Sequence, residues 1–287
     1  MKFRFLGTGT SVGVPQIGCD CRVCTSADPR DKRRRCGAYV TNGDTGVLID
    51  TPPELRLSCV EFGVKKVDAI ALTHAHMDHV AAFDDVRRFN TINGEVVACN
   101  PSDDGANGRT CRVVGKVMPS NAMKEPEEQM HRIFPYISSQ GGLHGLYRPQ
   151  IEFRNDDEFT VDSLKFTRLA VEHGFPCCGY LITPSTLQPF NPSTLQPSLA
   201  YISDCHILPE ETLEKISGVD TLVLNCLRER EHPTHLKLAD SLKYIERIAP
   251  RRAYLIHMCH DFTHEEWIEK LAGTCAEPAY DGLELTL

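Results

Sequence analysis

Apolar positions along the chain cluster in short runs separated by Gly-, Pro- and Asp-rich turns, the layout of strands alternating with helices. Lys2-Phe3-Arg4-Phe5-Leu6 alternates and predicts a first strand. The small-residue turn after it, Gly7-Thr8-Gly9-Thr10-Ser11, permits close approach of backbone to a ligand. Residues 36–40 and 46–50 predict two more strands around the hairpin turn Asn42-Gly43-Asp44, and a helix is expected over 53–62. Residues 67–72 are almost continuously apolar, as expected of a strand buried on both faces. In 81–89, Phe83, Val86 and Phe89 recur about one turn apart and predict a helix. A strand over 95–99 and a short helix over 126–134, with its proline in the first turn, follow. Strands are then expected over 159–162, 164–171, 179–182, 200–204, 220–225 and 253–257, the last closing the core. Helices are expected over 209–216, over 236–248 and, at the end of the chain, over 264–271. In the second of these, Leu238, Leu242 and Ile245 share a face and Pro250 is the stop.

Two stretches break the pattern. Residues 100–115 are polar and rich in Gly, Asp and Asn, and read as an insertion. Pro184-Ser185-Thr186-Leu187-Gln188-Pro189 repeats as Pro192-Ser193-Thr194-Leu195-Gln196-Pro197; its prolines forbid a paired central strand, so it reads as an elongated loop. The expectation is one domain over 1–287 with loop insertions near 100–120 and 184–198.

Composition narrows the class. A chain of 287 residues with 41% hydrophobic content can bury a large core. No apolar run reaches membrane-spanning length, and the apolar part of the start is too short for a signal peptide. Thirteen cysteines, an odd number without a secretory signal, read as reduced thiols in a cytoplasmic protein. The formal charge of −8 argues against an extended nucleic-acid footprint, although a local basic mouth can still hold one phosphate. The basic tract Lys32-Arg33-Arg34-Arg35 is expected to be a solvated loop.

The chemistry gathers at Thr73-His74-Ala75-His76-Met77-Asp78-His79. Four potential metal ligands lie within six residues, where a buried strand hands over to a helix. His74 and His76 alternate, so both rings leave an extended stretch from one side; Asp78 and His79 follow the turn and can address a second position. Imidazole and carboxylate are ligands of zinc, manganese and iron, and two adjacent sites suit a two-metal hydrolase. Asp50 ends a strand just before Pro52-Pro53, and either orients a ligand histidine or caps the next helix. Asp204 ends another strand, where its two oxygens can bridge two cations. Cys19, Cys21 and Cys24 are close enough to converge on one tetrahedral ion, with Cys36, Cys259 or a histidine left as the fourth ligand. His131 and His144 lack ligand-like context and are expected at the surface.

The Thr73–His79 stretch resembles the His-x-His-x-Asp-His motif of the metallo-β-lactamase superfamily. The resemblance implies an α/β (α+β) fold, the four-layer αββα sandwich, with a dinuclear site at one edge. It implies that His74, His76 and His173 hold one metal, that Asp78, His79 and His257 hold the other, and that Asp204 bridges. The opening Gly7-Thr8-Gly9-Thr10, the cysteine loop, Asp28-Pro29-Arg30 and the arginine tract are similar to the phosphoribosyl cyclic phosphodiesterase branch of phosphonate degradation. In that branch three cysteines share a structural zinc with a histidine three positions after the last catalytic one, which is His260 here. It also carries a histidine acting as general acid or phosphate contact; His235 matches best, His232 next. The expected enzyme opens a small cyclic phosphate, of ribose or nucleotide type, by attack of a metal-bound hydroxide, with Asp78 and His235 in the catalytic machinery. Two divalent metals (Zn or Mn), one structural Zn, a small phosphodiester substrate and, by resemblance alone, a homodimer complete the expectation. The alternatives are a tRNA-processing nuclease, a thioester or lactam hydrolase of the same fold, and a non-catalytic metal-binding protein. The first needs a protruding basic or Gly/Pro-rich arm, for which the insertions carry too little positive charge, and the last is disfavoured by a complete ligand set.

Overall fold

A computed structural model of the chain describes residues 1–92, 113–114, 126–137, 149, 151, 153–154, 156–185 and 197–287. The strand expected over 95–99, nearly all of the 100–115 stretch, His144 and residues 186–196 of the proline repeat lie outside the described residues.

Fourteen strands among the described residues build two seven-stranded sheets. They are β1 (Lys2–Gly7), β2 (Gly37–Asn42), β3 (Thr45–Ile49), β4 (Ala69–Ala71), β5 (Val113–Val114), β6 (Phe153–Arg154) and β7 (Glu158–Val161). There follow β8 (Leu164–Val171), β9 (Cys177–Pro184), β10 (Leu199–Ile202), β11 (Thr221–Asn225), β12 (Arg252–Ile256), β13 (Ala276–Pro278) and β14 (Glu284–Thr286). The first sheet runs β14-β1-β2-β3-β4-β5-β6 and the second β13-β12-β11-β10-β9-β8-β7. The helices are α1 (Leu55–Glu61), α2 (Met77–Val80), α3 (Arg87–Ile92), α4 (Pro126–Ile133), α5 (Glu210–Ile216), α6 (Leu238–Ile248) and α7 (His264–Lys270).

Why the central strands are apolar throughout follows from the layering. Alternate residues of one strand serve different cores. Val47 and Ile49 of β3, Ala69 and Ala71 of β4, Val223 of β11, and Tyr254 and Ile256 of β12 meet between the two sheets, around Phe3, Phe5, Phe166 and Tyr180. Their neighbours turn outward. Leu48 and Ile70 meet Leu55, Phe83, Phe89 and Met130 of the helices on one side. Leu222, Leu224 and Leu255 meet Leu213, Ile245, Ile248 and Trp267 of α5, α6 and α7 on the other. Three apolar layers between four structural ones make the αββα sandwich. Among the described residues no helix is long and apolar enough to cross a membrane.

Three expectations are corrected. The helix over 81–89 is instead a 3-10 turn over Phe83–Val86 that runs into α3, with α2 ending ahead of it at Val80. Thr51 causes the break: its N–H donates to His79 O (2.7 Å) and its carbonyl accepts from Ala82 N (3.0 Å), interrupting the helical ladder. Phe83, Val86 and Phe89 still share the one apolar layer. Second, β12 does not close the core: β13 pairs parallel to it and β14 pairs antiparallel to β1. Each has only three residues, too few for an alternation to stand out. Third, the basic tract is not a solvated loop. Arg33 is fully buried, donating to Cys259 O (2.9 Å) and Phe262 O (3.2 Å) beside Asp31 at 3.5 Å. Arg34 pairs with Glu61 and Arg35 with Glu54. Arginine's fork can satisfy several acceptors at once, which is what allows one to be buried here.

Candidate metal centre

Polar residues stand at the ends of otherwise apolar strands, all on one edge of the sandwich. Asp50 follows β3, Thr73 to His79 follow β4, His173 follows β8, Asp204 follows β10, Asn225 ends β11, and His257 follows β12. Carboxyl ends of strands in open sheets are where side chains can converge without competing for the core. Asp50 and His257 adopt positive φ, 61° in each case, a conformation that residues other than glycine adopt rarely. It turns each side chain out of the strand direction and into the cluster. The two sheets touch here as well, through Cys178 N–H donating to Thr73 O (3.1 Å).

The structure brings all seven candidate ligands together. His74, His76 and His173 offer ligand atoms within 4.8 Å of one another, as do Asp78, His79 and His257. Asp204 groups with His74 and His79 on one side, and with His173 and His235 on the other. Its Oδ1 lies 3.0 Å from His257 Nε2 and 4.0 Å from His173 Nε2; its Oδ2 lies 3.1 Å from His79 Nε2. His79 Nε2 is also 3.3 Å from Asp78 Oδ2. His74 Nε2 is 3.0 Å from His76 Nδ1.

Hydrogen bonding prepares the rings as ligands. Asp50 is fully buried and accepts from Thr73 N and Thr73 Oγ1, each at 2.7 Å, and from His79 Nδ1 at 2.7 Å. The Thr73 hydroxyl hydrogen is thereby spent on Asp50, so its oxygen accepts from His74 Nδ1 at 3.0 Å. His173 Nδ1 donates to Thr234 O at 2.8 Å. In His74, His79 and His173 a hydrogen therefore sits on Nδ1, and Nε2 faces the cluster. Of the two roles open for Asp50, it takes the orienting one; Glu54, not Asp50, precedes α1.

Several of these atoms are orphans within the protein. His79 Nε2, Asp204 Oδ2 and both ring nitrogens of His257 are buried with no hydrogen-bond partner. Buried polar atoms that crowd within about 3 Å without hydrogen-bonding are what a removed cation leaves behind. The residues thus fit divalent metal binding. Burial, then His79, holds His74 well below the usual histidine range, while burial and His173 lower His76. Burial pushes Asp204 up, but His257 and His79 outweigh it and keep the carboxylate ionised. Asp204 and Asp50 overcome the burial of His79 and raise it well above the usual range, so that ring holds a second hydrogen on Nε2 that a bound cation would have to displace.

His235 stands beside this cluster, its ring stacked on His257 with centroids 4.5 Å apart and its Nδ1 3.8 Å from Asp204 Oδ1. Burial, then the neighbouring His257, pushes it down to about 2. A cavity of about 520 Å³ opens next to it, lined by His206, Glu231, His232, Pro233, Lys237 and Asp240. That volume suits a small polar molecule. His232, the runner-up to His235, lies on the cavity wall with its ring centroid 4.9 Å from that of His235. His131, expected at the surface, is instead half-buried on α4.

A second group lies under the sandwich edge. Cys19, Cys21 and Cys24 place their sulfurs 3.4, 3.5 and 3.3 Å from His260 Nδ1. Zinc bonds of about 2.3 Å to sulfur and 2.0 Å to nitrogen, at a tetrahedral angle, put those atoms about 3.5 Å apart. Of the candidates left open for the fourth position, His260 is the one brought in; Cys36 is buried elsewhere, its thiol donating to Gly9 O. The backbone N–H of Cys24 draws the Cys21 thiol down to about 6, toward the thiolate a metal needs. The loop has little core of its own: Val14, Val23 and Cys24, with Cys19 and Cys21 against them.

Residues that reading along the chain did not single out are Thr73, which relays Asp50 to His74, Thr234, and Asn225. Asn225 is fully buried, with Oδ1 accepting from Leu236 N at 2.9 Å. The available signal was its place, a polar residue ending an apolar strand, as Asp50, Asp204 and His257 do.

Residues 45–258 match the family described as the beta-lactamase superfamily domain. An octanoyltransferase of Porphyromonas gingivalis is 31% identical over 291 residues, covering 99% of this chain. The chain spans about half the length of that relative (51%). Among solved structures, a diphosphatase from the PhnP family superposes with a TM-score of 0.79 at 33% identity, over 100% of this chain and 97% of that one. Zinc-bound PqqB from Methylobacterium extorquens gives 0.67 at 18% identity, with full coverage of both chains. Human tRNase Z, short form, gives 0.61 at 14% identity, over 100% of this chain and 99% of that one. These last two likenesses concern the fold alone.

Proposed function

Because the chain belongs to the beta-lactamase superfamily, on its PhnP-like branch, we propose that it is a metal-dependent phosphodiesterase hydrolysing a small cyclic phosphate of ribose or nucleotide type. The observation that carries this reading is the convergence of His74, His76 and His173, and of Asp78, His79 and His257, around Asp204, beside a polar cavity that His235 helps to line. In this reading those seven side chains hold two divalent cations, zinc or manganese, and Cys19, Cys21, Cys24 and His260 hold a structural zinc. Divalent cations bound there would acidify a water and offset charge on the phosphoryl oxygens.

The chain's own residues do the rest. Five neutral imidazoles and two carboxylates around two dications leave a positive site, which favours a phosphodiester anion over a neutral lactam or thioester. Asp78 is held below the usual carboxylate range, because His79 outweighs its burial. It therefore stays ionised and can accept a hydrogen bond that orients the attacking water. His235, held neutral, is placed to donate a hydrogen bond to the oxygen that leaves phosphorus and so offset the charge that gathers there. On the cavity wall Lys237 pairs with Glu231 and Asp240, and His206 and His232 stand beside them, so the wall offers hydrogen-bonding groups for the rest of the substrate. The cavity is polar, unlike the apolar tunnel an octanoyl chain needs. The cysteines among the described residues form no disulfide, as a reducing cytoplasm favours.

The test is a substrate screen of the zinc- and manganese-loaded protein against 2′,3′-cyclic nucleotides, bis(p-nitrophenyl) phosphate, acyl thioesters and lactams. Phosphodiesters should dominate, and His235→Ala should lower turnover of the cyclic nucleotides about a hundredfold while leaving metal content unchanged. Preference for thioesters or lactams refutes the phosphodiesterase reading. Unchanged turnover removes His235 from the machinery.

A further inference from the structure

We propose that Arg33 is a positioning residue for the cysteine-loop metal site: by holding the carbonyls on either side of His260, it fixes the fourth ligand in place before a metal binds. This rests on the reading of Cys19, Cys21, Cys24 and His260 as a zinc site given above.

The four ligands come from opposite ends of the chain, three from the loop after β1 and one from the turn after β12. Arg33 joins the two pieces. Its backbone grips the cysteine loop: Arg33 N–H donates to Val14 O and Val14 N–H donates to Arg33 O, both at 2.8 Å. Val14 in turn packs with Val23 and Cys24. The side chain grips the other piece. Nη1 donates to Cys259 O at 2.9 Å and Nη2 to Phe262 O at 3.2 Å, so the chain is held just before His260 and just after it. Asp31, 3.5 Å from Arg33 Nη2, extends the hold by accepting from His264 N at 2.6 Å. Arg22, inside the cysteine loop, takes a further carbonyl of the same turn, donating from Nη2 to Asp261 O at 3.1 Å.

The turn after β1 makes room for this clamp. A Cβ on Gly9 would stand 2.6 Å from Arg33 O and 2.9 Å from Arg33 Cβ, closer than side chains pack, so Gly9 must be bare for the arginine to pass. A Cβ on Gly7 would meet Arg35 O at 2.0 Å. The opening glycines and the arginine tract, two features separate along the chain, are thus two sides of one contact. Arginine is the residue this place requires, because only its planar fork reaches two carbonyls three residues apart while fully buried.

A residue that merely stabilised the fold would act differently. Its loss would weaken the metal-free and the metal-loaded protein equally and leave metal affinity unchanged, since affinity is the difference between the two. A residue that orders His260 in advance removes that ordering from the cost of binding, so its loss must appear in the affinity. Fixing the backbone of even one residue is worth about tenfold.

The experiment is a Co2+ titration of the metal-stripped protein, read by thiolate-to-cobalt charge-transfer absorption, to which the His74–His79 centre, with no sulfur ligand, does not contribute. Arg33→Lys keeps a charge beside Asp31, but its single nitrogen cannot span both carbonyls. It should lower Co2+ affinity at least about tenfold, with the same absorption at saturation. A second measurement leaves Arg33 in place: hydrogen exchange in Cys21→Ser, which cannot close the cysteine site, against the zinc-loaded parent protein. The amides of Cys259 and His264, bonded to Leu227 O and Asp31, should exchange alike in the two proteins, while residues 16–26 exchange faster in the variant. Affinity within about twofold in Arg33→Lys, or loosening of Cys259 and His264 in Cys21→Ser, overturns the positioning role. If Arg33→Lys does not fold, the exchange comparison decides by itself. If the parent protein gives no thiolate-to-cobalt absorption, the zinc reading of the cysteine group falls and the role of Arg33 with it; absorption of equal affinity in parent and Arg33→Lys removes the role alone.

Discussion

Asp50→Asn isolates the role of a single buried carboxylate in preparing the metal site. Asp50 Oδ1 accepts from Thr73 N, and Oδ2 accepts from Thr73 Oγ1 and His79 Nδ1. In the asparagine the oxygen can keep the Thr73 N bond, but an NH2 group then faces both the hydroxyl and the ring. His79 must give up its Nδ1 proton to receive that donor, which moves the proton to Nε2 and occupies the lone pair the cluster needs. The Thr73 hydroxyl is freed to turn toward His74 Nδ1 as a competing donor, so one atom change reaches two ligand histidines. Each lost bond to a charged acceptor is worth about 1.5–3 kcal/mol. Removing a partner that orients a metal-bound histidine generally costs tenfold to a hundredfold in metal affinity, or about 1.4–2.8 kcal/mol. The two figures agree, so the expected loss in zinc affinity is at least tenfold, with activity recovered at high zinc. The assay is titration of the metal-stripped protein in zinc buffers, read by metal content and by restored phosphodiesterase activity. Zinc affinity within twofold of the parent protein would falsify the orienting role.

Other outcomes are expected from single changes elsewhere. Cys21→Ser should remove one zinc per chain and lower the melting temperature, with the His74–His79 centre still loaded; an intact metal count by elemental analysis refutes the stapled loop. Arg33→Met should destabilise by about 3–5 kcal/mol in urea, because it strands the buried Asp31 and two carbonyls; a loss below 1 kcal/mol on the order-of-magnitude scale contradicts this. Burial raises Asp281 to about 7 from its ordinary 3.8, against the hydrogen bonds it accepts from Arg34 N and Thr8 Oγ1. The folded chain therefore holds that proton between those two values while the unfolded chain does not. The stability it confers is full below about pH 4 and lost as pH rises through about 7. Asp281→Asn should flatten that decline in a pH series of thermal melts, and an unchanged pH dependence rejects it.

How far the chain could be read depended on what kind of information each feature carries. The central strands and most helices were visible because both faces of β3, β4, β11 and β12 are buried, which makes them continuous apolar runs. β13 and β14 were not, since three residues at a sheet edge carry no periodicity. The Thr73–His79 stretch stood out because its ligands are neighbours in sequence. His173, Asp204 and His257 came from chain order within a resemblance, since a single polar residue after a strand has many uses. Arg33 was misread as solvated because burial of an arginine depends on acceptors supplied by Cys259 and Phe262, more than two hundred positions away.

The order of residues by itself determined the apolar layering, the ligand types and the local clustering of the first four of them. Hydrophobic period and ligand chemistry are local properties, legible wherever they occur. Only the tertiary structure decided which distant groups complete them: His260 beside three cysteines, Asp50 relayed through Thr73, and Arg33 on the carbonyls either side of His260. Those choices depend on distances of about 3 Å between atoms far apart in the chain, and on which atom of an imidazole carries the hydrogen. Such information exists only once the strands have brought their ends to one edge.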